Sequence, residues 1–293
     1  MLTELFASQF FAHAFLGGAI VAVVAGCVGY FLVLRAQAFA AEAFTDIGFA
    51  GATGAALLGV GSLMGMIIFS LLAAAGLGIM GERAQGRDVE IGMVLSFALG
   101  LGVLFLSLYS RTSATHSMSG IMILFGSILT INSKDILLAF ASCAFALGGL
   151  AIVYRPLLFA SVDPAGAQAR GVPMRALSAA FLAILALTTA SCVLLVGILL
   201  TASLLIAPAA TAVNLTNSPG RALLVSVATS VGVTWLGLVL TFDTALGHLP
   251  AGFYISALAT LAYTASIVLR NRIRPSRVFQ FPHGNRETVQ GGR

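Results

Sequence analysis

Long apolar stretches separated by short polar connections run along almost the whole chain. Most stretches contain about 20 residues, the length that an α-helix needs to cross the hydrocarbon core of a bilayer. The pattern predicts an all-α, polytopic membrane protein with eight to nine transmembrane helices. The predicted crossings lie at residues 13–34, 36–60, 62–80, 91–110, 135–154, 176–213, 222–242 and 250–269.

One of these stretches, residues 176–213, is too long to cross once. A straight helix over it would extend about 57 Å, whereas the hydrocarbon core is about 30 Å thick. A break between Ser191 and Gly197 is therefore predicted, which divides the stretch into two crossings and gives nine in total. If the stretch crosses once, the orientation of everything after it reverses. A shorter apolar segment, 119–131, is predicted to be re-entrant or interfacial.

Composition and charge agree with this interpretation. Only 9% of the residues are charged and 59% are hydrophobic, whereas about a quarter of a soluble domain is charged. Soluble classes are thereby excluded. With the N-terminus outside, nine crossings place 13 of the 15 basic residues in the cytoplasm, and only Arg111 and Lys134 outside, as the positive-inside rule favours. The sequence contains no stripe of basic residues of the kind that would indicate nucleic-acid binding.

Two polar segments stand out from the apolar background. Residues 155–175 form the longest polar connection, predicted to be cytoplasmic. Within it, Asp163 is predicted to be a helix N-cap, Pro164 the first helical residue and Gly171 the stop, which gives a helix of about two turns. Residues 1–270 are predicted to be a single transmembrane domain, and 271–293 a basic cytoplasmic tail near anionic headgroups.

The most informative charges are Glu42 and Asp46, which lie inside a predicted span. They are four residues apart and so share one helix face. Two ionised carboxylates at this spacing repel each other, and burying them in a membrane without a partner is costly. A divalent cation would supply the missing charge. In an alternative, Arg35 neutralises one acid and a water-filled vestibule solvates the other.

A second polar pair, Asp243 and His248, flanks a turn that this topology places on the outer side. A lone histidine in a loop is commonly only solvated. Next to an acid-lined pathway, however, an imidazole is a candidate ligand for zinc or manganese.

Several segments resemble the membrane subunits of ABC importers for zinc, manganese or iron(II). Residues 196–212 (VGILLTASLLIAPAATA) are close to the family pattern V-G-x-L-L-x-x-A-L-L-x-x-P-A-A-T-A. Residues 163–173 (DPAGAQARGVP) are similar to D-P-E-x-A-x-x-x-G-V, and residues 35–54 align with R-x-x-x-x-x-G-D-A-x-S-H-A-x-x-x-G. Shorter likenesses occur at 91–100 and 124–129.

The aligned segments differ from the family in their acids and histidines. The family's Asp and His fall on Glu42 and Asp46, and the Asp of its later S-Y-x-x-D-x-P-x-G falls on His248. The chain thus keeps two carboxylates and one imidazole but exchanges their positions. The resemblance implies that Glu42, Asp46 and His248, with Asp243 in reserve, converge on a transported cation in the pore.

The resemblance further implies a type II importer fold in the bacterial inner membrane with a cytoplasmic C-terminus. The permease would be non-enzymatic, hold no permanent cofactor, and carry a divalent metal, with zinc expected because a histidine is retained. Implied partners are a cytoplasmic ATPase dimer, a periplasmic or lipid-anchored metal-binding protein and a second permease copy, making a homodimer. The implied coupling residues are Asp163, Pro164, Ala167, Arg170 and Gly171.

Other functions remain open at this point. Manganese or iron(II) are the alternative cargoes, since mixed histidine and carboxylate ligands suit several metals. A secondary cation transporter would use the same intramembrane acids without an ATPase. A membrane enzyme would need a nucleophile with a base, or a metal triad such as H-E-x-x-H, and the sequence contains no such motif.

Overall fold

The computed structural model describes residues 9–80, 88–112, 133–216, 218–242 and 251–273. Every element in these ranges is an α-helix, as the all-α prediction requires. The helices are α1 (Gln9–Leu34), α2 (Ala38–Leu57), α3 (Ser62–Met80), α4 (Asp88–Thr112), α5 (Ser133–Val162), α6 (Pro164–Ala169), α7 (Met174–Val196), α8 (Ile198–Leu215), α9 (Pro219–Phe242) and α10 (Ala251–Ile273).

Interhelical contacts show how these helices run. Along α2 and α3, Gly48 lies beside Ser70 and Gly51 lies beside Gly65, so the two helices are antiparallel. Along α5 and α7, Ser142 Oγ lies 2.6 Å from Ser191 Oγ and Gly149 lies beside Ile184, so these two helices are antiparallel as well. Gly18 of α1 lies beside Thr234 of α9 and Gly26 lies beside Val227, so α1 and α9 are antiparallel too.

The predicted break in the long apolar stretch is confirmed at Gly197. Its φ of 95° lies in the left-handed region that glycine adopts without steric cost, and it separates α7 from α8. Beyond the break the chain turns back, because Ser178 near the start of α7 meets Arg35 at the end of α1, and Leu205 of α8 again lies against Gly29 of α1. That each of the two helices crosses the bilayer stays a prediction.

Length and hydropathy support a multi-pass membrane protein. Six of the described helices are long and apolar enough to cross a bilayer: α1, α4, α5, α7, α9 and α10. The apolar parts of α3 and α8 are shorter, 62–78 and 200–215. The helix with the acid pair, α2, is not among the six. A total of eight or nine crossings therefore stays a prediction.

The core of the bundle forms around α1 and α7. Val21, Val28 and Phe31 of α1 and Phe181 and Leu185 of α7 are fully buried. By contrast, α4 buries little of its surface and contacts the bundle chiefly through α2, so its large apolar side chains face outward, as expected of a helix at the lipid boundary.

Basic side chains gather at one end of the bundle. The guanidinium of Arg35 reaches Ser178 near the start of α7, and Arg270 Nη1 donates a hydrogen bond to Asn214 Oδ1 at 2.9 Å near the end of α8. Arg155 lies at the same end, because the neighbouring Tyr154 meets Phe31 near the end of α1, and so does Arg221 at the start of α9, which is antiparallel to α1. Arg111 lies in the last turn of α4, which is parallel to α2, and is therefore at the opposite end. We call the end with Arg35, Arg155, Arg221 and Arg270 the arginine end. The predicted re-entrant segment 119–131 and the tail beyond residue 273 lie outside the described residues.

Candidate metal site

The acid pair lies on α2, which begins after a tight turn and is rich in small residues. Asp46 is buried with 9% of its surface exposed, and Glu42 is half-buried. The two carboxylates are one helical turn apart, as predicted. Among the described residues, neither carboxylate forms a hydrogen bond or an ion pair. In the part of the chain that the structure describes, the buried and the half-buried carboxylate therefore have no partner that compensates their charge.

Glycines on the back of α2 hold it close to α3. A Cβ on Gly51 would lie 2.5 Å from the carbonyl oxygen of Gly65, so the two backbones are in direct contact. One turn away, Ser70 Oγ donates a hydrogen bond to the carbonyl of Phe44 at 3.3 Å and lies against Gly48. This face of α2 is thereby fixed on α3.

The acid face of α2 is turned away from this contact. At about 100° per residue, Asp46 lies roughly opposite Gly48 and Gly51 around the helix. Near the acid face, Phe49 touches Gly102 of α4 on one side and clusters with Ala190 of α7 on the other. By helix geometry, the acid face therefore lies on the side of α2 that is toward α4 and α7.

Arg35 does not neutralise the acid pair. The guanidinium extends to α7 instead, where Nη2 lies 3.4 Å from Ser178 Oγ and the group lies 5.5 Å from the ring centroid of Phe181. Directly after Arg35 the chain turns, with a φ of 53° at Ala36, and α2 begins at Ala38. Its Nη1 is buried without a hydrogen-bond partner among the described residues. The alternative in which Arg35 pairs with one of the acids is therefore wrong.

The remaining predicted ligands, Asp243 and His248, lie outside the described residues, so their convergence on the acid pair stays a prediction. In the described part of the chain, no group of three or more His, Cys, Asp or Glu side chains is close enough to hold a metal. A metal site that includes the acid pair would therefore need further ligands from outside the described residues.

Thr53 is a polar residue of this face that the sequence analysis did not identify. It follows Asp46 by seven residues, which is two turns, and is 1% exposed. Its hydroxyl donates a hydrogen bond to the carbonyl of Phe49 at 2.9 Å, which leaves the oxygen able to accept or to ligate. The spacing of residues 42, 46 and 53 along one face was the available signal.

The predicted short helix in the polar connection is confirmed as α6. Asp163 is its N-cap and accepts a hydrogen bond from Gly166 N at 2.9 Å, with Pro164 at the first position. The helix ends as predicted at Gly171, whose φ is 79°. Ala167 is buried on the bundle, and Arg170 is exposed.

Comparisons with known proteins found relatives that match most of the chain. The profile of the ABC 3 transport family matches residues 7–270. The manganese transport system membrane protein MntC of Listeria innocua is 28% identical over 256 residues, 87% of this chain and 88% of the relative. The manganese import system permease protein ScaB of Streptococcus gordonii is 31% identical over 262 residues, 89% of each chain.

A third relative carries a different metal in its name. It is the "probable iron transport system membrane protein" of Haemophilus influenzae, 28% identical over 260 residues, 86% of this chain and 93% of the relative. Among solved structures, PsaBC from Streptococcus pneumoniae in complex with Fab is similar, with a TM-score of 0.79 and 28% identity over 91% of this chain and 95% of that one.

Proposed function

Because this chain belongs to the ABC 3 transport family and is a membrane permease of a metal importer, we propose that it conducts a divalent transition metal past Glu42 and Asp46. The observation that carries the proposal is the acid pair itself: two carboxylates one turn apart on the face of α2 toward α4 and α7, with no cationic partner among the residues that the structure describes. A divalent cation balances both charges and accepts oxygen ligands.

Manganese is the proposed cargo, ahead of zinc and iron(II). Manganese accepts sites built from oxygen ligands, and the acid pair supplies carboxylate oxygens while Thr53 supplies a hydroxyl oxygen. The names of two of the three relatives above refer to manganese and the third to iron. The expectation of zinc depends on His248, and zinc remains the alternative if that imidazole completes the site.

The proposed assembly follows from the family. An ATPase subunit would bind the surface around α6, because the permease has no P-loop of its own. A metal-binding protein would deliver the ion at the end opposite to the arginine end. The arginine end would face the cytoplasm, in agreement with the positive-inside rule. A second copy of the permease would complete the pathway.

In a transport cycle, the residues of this chain would bind the ion and then release it. The carboxylates replace part of the ion's water shell while the pore is closed on both sides. They bind the ion weakly enough for its release when ATP hydrolysis opens the arginine end. The tight contact between α2 and α3 keeps the two carboxylates in fixed positions during this exchange.

Uptake of radioactive Mn²⁺ by cells that express the permease with its partners tests the proposal. Two opposite unit charges about 4 Å apart attract each other by about 4 kcal/mol at an effective dielectric constant of about 20, and a divalent ion doubles this attraction. Since about 1.4 kcal/mol changes an equilibrium tenfold, we expect Asp46→Asn and Glu42→Gln each to reduce uptake more than tenfold. His248→Ala would reduce it if the imidazole is a ligand.

Three controls make the result specific. Asp88→Asn, the same change at the start of α4, should leave uptake within about twofold. Excess Zn²⁺ or Fe²⁺ as competitor ranks the metals. ATP depletion at constant membrane potential should stop uptake, whereas a secondary transporter would continue. Unchanged uptake in both acid variants would overturn the proposal.

A further inference from the structure

The segment 155–175, which covers the end of α5, all of α6 and the start of α7, carries an excess of exposed positive charge. Residues 155–175 contain three arginines and one acid, a net charge of +2 (3 − 1). Arg155, Arg170 and Arg175 are all exposed. The carboxylate of Asp163 is used as the N-cap of α6 and accepts the Gly166 N–H. The surface that a partner meets is therefore basic.

This basic surface is also rigid. The end of α6 is closed by two backbone hydrogen bonds, from Gly171 N to Gln168 O at 3.0 Å and from Val172 N to Ala167 O at 3.1 Å, which together form a Schellman motif. The guanidinium of Arg170 lies 5.0 Å from the ring centroid of Phe159, so a cation–π contact holds it in place. A charge held in this way loses little conformational entropy when a partner binds.

The shape of α6 fits a protein groove better than a lipid surface. The helix has the sequence PAGAQA and carries no large apolar side chain, whereas helices that lie in a membrane interface insert Leu, Phe or Trp. Its exposed residues Ala165, Gln168 and Ala169 form a low surface that allows close approach of a second backbone.

We propose that Arg170 and Arg175, presented beside α6, select an ATPase subunit whose docking groove is acidic. The inference rests on the proposed function, since it takes the ATPase as the occupant of this surface. Opposite charges across the interface speed docking and exclude an ATPase with a basic groove. Ala165 is exposed and uncharged, so this position adds no negative charge that would repel an acidic groove.

The test is purification of the complex through a tag on the full-length permease, with the bound ATPase quantified as a function of salt. We expect Arg170→Glu and Arg175→Glu each to weaken ATPase binding about 3- to 10-fold, and the double variant about tenfold or more. Ala165→Glu should weaken binding in the same direction. Arg170→Lys keeps the charge and should retain binding within about threefold.

Arg221→Glu is the matched control, because Arg221 is exposed at the arginine end but outside the connection. It should leave ATPase binding within about twofold. Size-exclusion profiles and thermal unfolding verify that each variant folds. Raising the salt concentration should weaken the wild-type complex and leave the double variant nearly unchanged.

Two results would overturn this inference while leaving the proposed function intact. One is equal ATPase binding by Arg170→Glu, Arg175→Glu and the wild type. The other is unchanged ATPase binding with lost affinity for vesicles that contain anionic lipid, which would assign the arginines to the membrane. A wild-type permease that retains no ATPase at all would instead contradict the proposed function.

Discussion

The helices that hold the acid pair, α2 and α3, are in backbone contact at Gly51 and Gly65, and this contact is open to a direct test. A Cβ added to Gly65 would lie 2.5 Å from Ala55 Cβ and 2.9 Å from the carbonyl carbon of Gly51, and closer still to the Gly51 oxygen. Ordinary contacts of this kind begin at 3.4 Å. The Gly65→Ala variant therefore forces α2 and α3 apart.

The size of the effect follows from these distances. Relief of the contact with Ala55 requires a separation of about 0.9 Å (3.4 − 2.5), and both partners are backbone or short side chains that cannot rotate away. Overpacking of this kind costs about 1–3 kcal/mol. The same displacement moves Asp46 relative to α4 and α7, and a shift of about 1 Å at a functional site can cost about a hundredfold in activity.

Thermal unfolding of the purified permease and Mn²⁺ uptake by cells together measure the effect. We expect Gly65→Ala to unfold several degrees below the wild type and to lose most of its uptake at equal expression. Gly76→Ala is the matched control, because it is the same change in the same helix and its Cβ would meet nothing within 4 Å. It should be neutral or slightly stabilising, since alanine is the better helix former. A Gly65→Ala variant as stable and active as Gly76→Ala would refute the described contact between α2 and α3.

Three further predictions concern the helix ends and the core. Asp163→Ala removes the N-cap of α6 at a cost of about 1 kcal/mol, so the connection should be cleaved faster in limited proteolysis, whereas Asp163→Asn should protect it. Gly197→Ala places a Cβ at a φ of 95° and should lower the unfolding temperature by an amount that corresponds to about 1–3 kcal/mol. Ser226→Ala removes the 2.7 Å hydrogen bond to the carbonyl of Gly26 and should cost about 0.5–1.5 kcal/mol in a denaturation assay.

The helical architecture could be predicted from the sequence because the bilayer limits helix length. A stretch of 38 apolar residues had to break, and glycine is the residue that permits a left-handed φ at the break. The two ends of α6 could be predicted because Asp163 and Gly171 affect only the helix ends next to them. The end of α5 was harder to locate, since it continues to Val162, eight residues beyond the predicted span. Hydropathy indicates which residues lie in the bilayer, but a helix can continue beyond the bilayer into water.

The surroundings of the acid pair could be predicted only in part. Helix periodicity correctly placed Glu42 and Asp46 on one face, because that relation is local. It could not show which helices this face meets, and Arg35, seven residues before Glu42, was a natural candidate partner. That guanidinium instead reaches Ser178 of α7. Contacts between distant helices depend on how the helices pack, which residue spacing does not encode.

The central claim is that the acid pair binds the transported ion inside the bundle. Anomalous X-ray scattering at the manganese edge, from crystals of the complete importer grown with Mn²⁺, tests it most directly. We expect a manganese peak between α4 and α7 within bonding distance of the Asp46 and Glu42 carboxylates. Carboxylates that face lipid or pair with an arginine, with the manganese peak elsewhere, would contradict it.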